Sequence, residues 1–214
     1  MGQLETIIFD FDGTIADTQN IILQCINELA EKYKFNSVSN DEVEKLRAMH
    51  PEDFIKNHLG IPFYKIPILL TEGLNLFAKK RDSILPYDGI IEIIQNLAKE
   101  KEIIVVSSNK KEVISSTFGR WGLKCEDIHH CAKLFGKGWE LKKIIAKKGV
   151  GYDRNKLIYV GDEVRDVYAS RMARIGMLAI TWGLNNEEAF RNIGFPRDYI
   201  VNSPQNMEKR LREL

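Results

Sequence analysis

Two aspartates one residue apart, Asp10 and Asp12, close an apolar run in the segment Asp10-Phe11-Asp12-Gly13-Thr14. In extended chain, side chains two positions apart point the same way. Asp10 and Asp12 are therefore expected to face one site, with Phe11 turned into the protein. Neighbouring carboxylates repel unless a cation or a shared proton separates them. The pair suggests a metal, or a division of labour between nucleophile and acid; taken alone, it reads equally well as a polar turn. Gly13 lets the backbone leave the strand sharply. A second acidic group follows another apolar run: Gly161-Asp162-Glu163-Val164-Arg165-Asp166. If a helix begins near Glu163, Asp162 sits at its mouth and Asp166 lies one turn on. Oxygen-only ligands on a tight turn suit Mg²⁺, which takes one or two carboxylates plus water and phosphate oxygens. The same acids would also cap an ordinary helix.

Two weaker groups complete the set. Ser107-Ser108-Asn109 follows a third apolar run, where hydroxyls and backbone N–H groups at a strand-to-helix turn can cradle phosphate or simply cap the helix. Lys137, in Phe135-Gly136-Lys137-Gly138, could neutralise phosphate and restrain a carboxylate, although most lysines face solvent.

Such residues need strands that end together. Apolar runs at 4–9, 103–106, 128–131, 157–160, 177–181 and 199–201 alternate with amphipathic stretches. That alternation predicts an α/β fold, a parallel sheet with helices on both faces. Ligands of such sheets bind beyond the carboxyl ends of the strands, where the acidic groups stand. Residues 18–33, 41–48, 51–59 and 65–81 show helical periodicity with no convincing strand among them. Pro86-Tyr87-Asp88-Gly89 marks a return to the main fold. The expected division is a core of residues 1–15 and 85–214 with a helical insertion, 16–84, placed to cover the site.

Composition excludes several classes. The chain has 214 residues, a formal net charge of +1, 44% hydrophobic and 29% charged residues. It reads as a globular protein with neither a nucleic-acid nor a membrane partner. The lysines at 142, 143, 147 and 148 fall at helical spacing beside Leu141, Ile144 and Ile145, as on a solvated helix face. Three cysteines with no CxxC spacing fit a reducing cytoplasm rather than a disulfide framework or zinc site. The first residues, MGQLETIIFDFDG, lack the pattern of a signal peptide.

The order of the groups is informative. DFDGT, the serine closing VVSS, the lysine of FGKG and GDEVRD together resemble the four motifs of the haloacid dehalogenase superfamily. The helical insertion resembles that family's type 1 cap, and TWGLN resembles its phosphoglycolate-phosphatase-like branch. In place of the proline that often follows the family lysine stands Gly138. The resemblance implies a Rossmann-like core and a phosphatase for a small phosphomonoester. Asp10 would be the nucleophile that forms an aspartyl-phosphate, and Asp12 the acid and then the base. Mg²⁺ would be held by Asp10, the Asp12 carbonyl and Asp162, and directly or through water by Asp166, with Glu163 beside it. Ser107, preferred over Ser108 as the motif serine, would bind phosphate with Lys137 and the amide of Ser108. A sugar phosphomutase on the same scaffold and a non-catalytic phosphate-binding module are the alternatives. Selectivity would come from the cap. Arg47 is the first candidate, since it precedes a turn at Met49-His50-Pro51 and its planar fork suits an anion.

Overall fold

The structure is a computed structural model that describes residues 3–131 and 136–214. Met1, Gly2 and Phe135 of the FGKG segment lie outside the described residues. The chain begins with β1 (Thr6–Phe9), then the short β2 (Ala16–Asp17) and helix α1 (Gln19–Tyr33). Helices α2 (Val43–Arg47), α3 (Pro51–Asp53) and α4 (Ile66–Lys79) follow, and β3 (Leu85–Pro86) brings the chain back. The remainder alternates: α5 (Ile90–Leu97), β4 (Glu102–Ser107), α6 (Lys111–Trp121), β5 (Ile128–His130), α7 (Lys137–Lys147) and β6 (Leu157–Gly161). It ends with α8 (Val164–Ala173), β7 (Gly176–Ile180), α9 (Glu187–Asn192), β8 (Ile200–Val201) and α10 (Pro204–Glu213).

Six strands form one parallel sheet in the order β5-β4-β1-β6-β7-β8. The α/β expectation holds, and each expected strand has its counterpart with ends shifted by a residue or two. β1 lies at the centre because TIIF is buried along its whole length, as a strand covered on both faces requires. Side-chain alternation splits the core in two. Ile7, Phe9, Val105 and Val160 point toward α5, α6 and α10. Ile8, Val106 and Tyr159 point toward α7, α8 and α9. Each fully buried aliphatic side chain contributes roughly 1.5–3 kcal/mol.

The helical stretch between β2 and β3 has a small core of its own, with Leu29, Val38, Leu59, Ile61 and Leu69 buried in it. At its base, Ile21, Cys25 and Phe77 join the large cluster of the sheet instead. Its middle is broken: a 3₁₀ turn at Asn40–Glu42 leads into α2, and a π turn at Phe54–His58 continues α3. β2 and β3, absent from the sequence reading, pair antiparallel where the stretch leaves and rejoins the sheet, Ala16 opposite Pro86 and Asp17 opposite Leu85. Pro86 is tolerated because this two-stranded ribbon is all edge.

Candidate active site

The alternation along β1 decides where its carboxylates go. Asp10 continues the side of Ile8 and so emerges toward α7 and α8; Phe11 emerges on the other side. Phe11 is fully buried there, edge-on to Phe118 with ring centroids 5.5 Å apart. Asp10 is buried, with Oδ1 accepting from the Phe11 amide at 2.7 Å. Lys137, the first residue of α7, donates its ammonium to Asp10 Oδ2 and to Asp166 Oδ1, the latter at 2.8 Å. Thus α7 and α8 bring a lysine and a carboxylate to the mouth of β1.

α8 begins as its acids predict. Glu163 and Asp166 form a capping box, and Asp166 Oδ2 accepts from the Glu163 amide at 3.1 Å. Capping and site formation are therefore performed by the same carboxylate. Asp162 directly follows β6, with both carboxylate oxygens occupied. Thr14 Oγ1 donates to Oδ1 at 3.1 Å, and the Leu184 amide to Oδ2 at 2.6 Å. Gly13 has φ +72°, and a Cβ there would overlap the Asp162 carboxylate, so glycine is required for both conformation and room.

Asp12 is half-buried on the β4 side of the site. Ser107 Oγ donates to its Oδ2 at 3.2 Å and Asn109 Nδ2 to its Oδ1 at 3.4 Å. Ser107 is itself held by the Asn109 amide at 2.9 Å, and Ser108 beside it is half-buried.

The charges do not balance easily. Burial, together with the charges of Asp166 and Asp162, pushes the Asp10 carboxyl well above the usual range against the pull of Lys137. Burial pushes Asp12 up to about 6. Burial and the neighbouring Glu163 and Asp166 push Asp162 up to about 8. Burial alone would lower Lys137, but Asp10 and Asp166 hold its ammonium well above its ordinary value. Burial alone would raise Glu163; the Arg165 guanidinium, 2.6 Å from each carboxylate oxygen, holds it low. Asp10, Asp162 and Asp166 each present an oxygen within 4.8 Å of the others. Buried, oxygen-only and short of positive charge, this donor set fits a small hard divalent cation.

The sequence profile of the haloacid dehalogenase-like hydrolases matches residues 7–180, which runs from β1 through β7. The chain belongs to the haloacid dehalogenase-like hydrolase family. Over its full length it is similar to the phosphoglycolate phosphatase of Synechococcus elongatus, at 22% identity covering 99% of each chain. It is also similar to the N-acetylmuramic acid 6-phosphate phosphatase of Pseudomonas aeruginosa, at 24% identity over 96% of this chain and 93% of that one. Among solved structures, a predicted phosphatase from Clostridium acetobutylicum superposes with a TM-score of 0.75 at 21% identity, covering 100% of both chains. That likeness concerns the fold.

The departure at Gly138 has a local cause in this family member. Gly138 is buried where α7 crosses α8; a Cβ there would lie 2.7 Å from Met172 Sδ and 3.4 Å from the Ala169 backbone. Arg47 sits at the junction of the helical insertion with the sheet. Its guanidinium donates to the Thr181 carbonyl at 2.6 Å and to Glu44 at 2.8 Å, and its Nε is buried without a partner. Three further residues touch the site without having been singled out from the sequence. Thr14 holds Asp162, Asn109 holds Asp12, and the buried Tyr159 hydroxyl donates to Asp166 Oδ1 at 3.3 Å. Thr14 and Asn109 lie inside the motifs already read. Tyr159 gives no signal, because in the sequence it is one more apolar strand residue.

Proposed function

We propose that this haloacid dehalogenase-like hydrolase is a Mg²⁺-dependent phosphatase for a small phosphomonoester of the phosphoglycolate kind, working through an aspartyl-phosphate on Asp10. The observation that carries the reading is the Lys137 ammonium shared between buried Asp10 and Asp166. Its charge opposes the upward push of burial on Asp10, while the cluster as a whole stays short of positive charge. Two relatives named for phosphate-ester hydrolysis support the reaction class.

In the first step an Asp10 oxygen bonds to phosphorus in line with the leaving alkoxide, and Asp12 gives that alkoxide a proton. In the second, Asp12 takes a proton from water, which attacks phosphorus and releases Asp10. A half-buried carboxyl raised to about 6 can both give and take a proton near neutrality. Lys137, Ser107 and the backbone amides near Asp12 and Ser108 would hold charge on the equatorial oxygens. The residues fit for Mg²⁺ are Asp10, the carbonyl of Asp12 and Asp162, with Asp166 directly or through water; Glu163 is engaged by Arg165. When bound, Mg²⁺ would offset the repulsion between an anionic nucleophile and an anionic phosphate.

In this reading, residues 1–15 and 85–214 form the core and residues 16–84 a cap that closes over the leaving group. Arg47 is the proposed specificity residue, its planar guanidinium standing where the insertion meets the sheet. With three free cysteines, a reducing cytoplasm is the proposed compartment. Among the described residues no helix is long and apolar enough to cross a membrane.

The test is turnover of a broad panel of phosphometabolites with Mg²⁺, including phosphoglycolate and sugar phosphates. Release of inorganic phosphate supports the proposal. Transfer to a second sugar without release would make the protein a phosphomutase, and binding without either would make it a phosphate-binding module.

A further inference from the structure

Apart from the carboxylates, one buried polar side chain joins three parts of the molecule. Asn185 lies in the segment between β7 and α9 and is 2% exposed. Its Oδ1 accepts at 2.9 Å from the amide of Val164, the first residue of α8. Its Nδ2 donates to the carbonyls of Arg47 at 2.9 Å and Met49 at 3.3 Å, in the turn that follows α2. Its own amide donates to the Asp162 carbonyl at 3.1 Å, and the preceding amide, of Leu184, to the Asp162 carboxylate at 2.6 Å. A single residue therefore bridges the helical insertion, the start of α8 and the end of β6.

Its neighbours reinforce the joint. The Thr181 carbonyl accepts from the Arg47 guanidinium. The Trp182 carbonyl accepts from Gln19 at 2.8 Å and from the Tyr87 hydroxyl at 3.3 Å, on either side of the ribbon made by β2 and β3. The Asn186 amide donates to the Arg47 carbonyl at 3.2 Å. Gly183 has no space for a Cβ, which would overlap Asp162 Cβ and the Gly13 carbonyl oxygen. Residues 181–186 are thus pinned to Asp162 on one side and to the helical insertion on the other. A buried carboxamide with every group paired resists separation, because opening the joint strands its donors and acceptors.

We propose that Asn185 is a positioning residue that latches the turn at 47–49 to the segment orienting Asp162, so that docking of the helical insertion and cation retention at the acidic cluster are one linked event. The inference rests on the Mg²⁺ reading given above. Linkage is reciprocal: a cation that favours the docked insertion is favoured by it to the same factor.

The test uses the full chain as wild type, Asn185→Ala and Asn185→Asp. The aspartate keeps an acceptor for the Val164 amide and loses the donors toward Arg47 and Met49. Calorimetric titration with MgCl₂ alone is combined with amide hydrogen exchange, with and without Mg²⁺. In wild type, Mg²⁺ slows exchange at residues 43–58. In Asn185→Ala, Mg²⁺ affinity falls roughly fivefold or more, exchange at 43–58 rises, and Mg²⁺ no longer slows it. In Asn185→Asp, exchange at 43–58 rises as in the alanine variant while the first turn of α8 stays protected. Unchanged Mg²⁺ affinity in Asn185→Ala, or faster exchange spread evenly through the sheet, would overturn the latch. A wild type that binds no Mg²⁺ would overturn the cation reading, and the linkage with it.

Discussion

Beyond the ends of β1 and β6, buried Asp10 and Asp166 share one lysine beside Asp162, and each oxygen of the three carboxylates has a hydrogen-bond partner. In residues 40–65 the backbone passes through 3₁₀, α and π turns, and Glu44, Lys45 and Lys56 face solvent. In the proposed function the two regions have different tasks. Stabilising a transferring phosphoryl group demands fixed positions, which the central strands of a parallel sheet supply. Fitting a leaving group tolerates variation, and an element with its own small core can vary without disturbing the sheet. Chemistry should therefore be lost wholesale by changes at the strand ends, and only redirected by changes in the insertion.

The largest effect is expected at Asp10. Asp10→Asn should lower turnover by about 10⁴-fold or more, because an amide cannot become an acyl phosphate. Its thermal unfolding should still show one cooperative transition; wild-type-like rates from such a folded variant would break the assignment. Asp12→Asn should cost ~10²–10⁴-fold. The loss should be greater for alkyl than for aryl phosphates, since good leaving groups need less protonation; equal losses would remove Asp12 from the acid role.

Cation removal comes next. Chelator should abolish activity, Mg²⁺ should restore it, and Ca²⁺ should replace it poorly because its larger, looser shell misplaces nucleophile and phosphate. Asp162→Asn should raise the half-saturating Mg²⁺ concentration by about tenfold or more. Full turnover in excess chelator would contradict the site.

The smallest effect belongs to the insertion. Arg47→Ala should reduce kcat/KM by roughly tenfold for the preferred anionic substrate, the equivalent of one charge-assisted hydrogen bond. An artificial aryl phosphate should lose much less. Equal losses would assign Arg47 to the joint with Thr181 alone and erase the proposed contrast between chemistry and selectivity.

The legible parts of the molecule are those where local pattern and tertiary role coincide. β1 and β6 could be read because central parallel strands are continuously apolar and end in acids. Asp166 could be placed because helix spacing alone carries it one turn past Asp162. The β2–β3 ribbon could not be read: a two-residue pairing across Ala16 and Pro86 leaves no periodicity. Tyr159 was hidden, and Asn185 could be read only as the last residue of TWGLN, for a related reason. Their roles come from partners such as Asp166, Val164 and the Arg47 carbonyl, which are brought near by sheet order and insertion docking rather than by neighbouring sequence.

The central claim is that Asp10 carries the phosphoryl group. Rapid acid quench during turnover, followed by borohydride reduction and peptide mapping, reads it directly, because an aspartyl-phosphate is reduced to homoserine. The account predicts homoserine at position 10, and aspartate retained at positions 12, 162 and 166. Homoserine at another position, or turnover with unmodified Asp10 throughout, would contradict it.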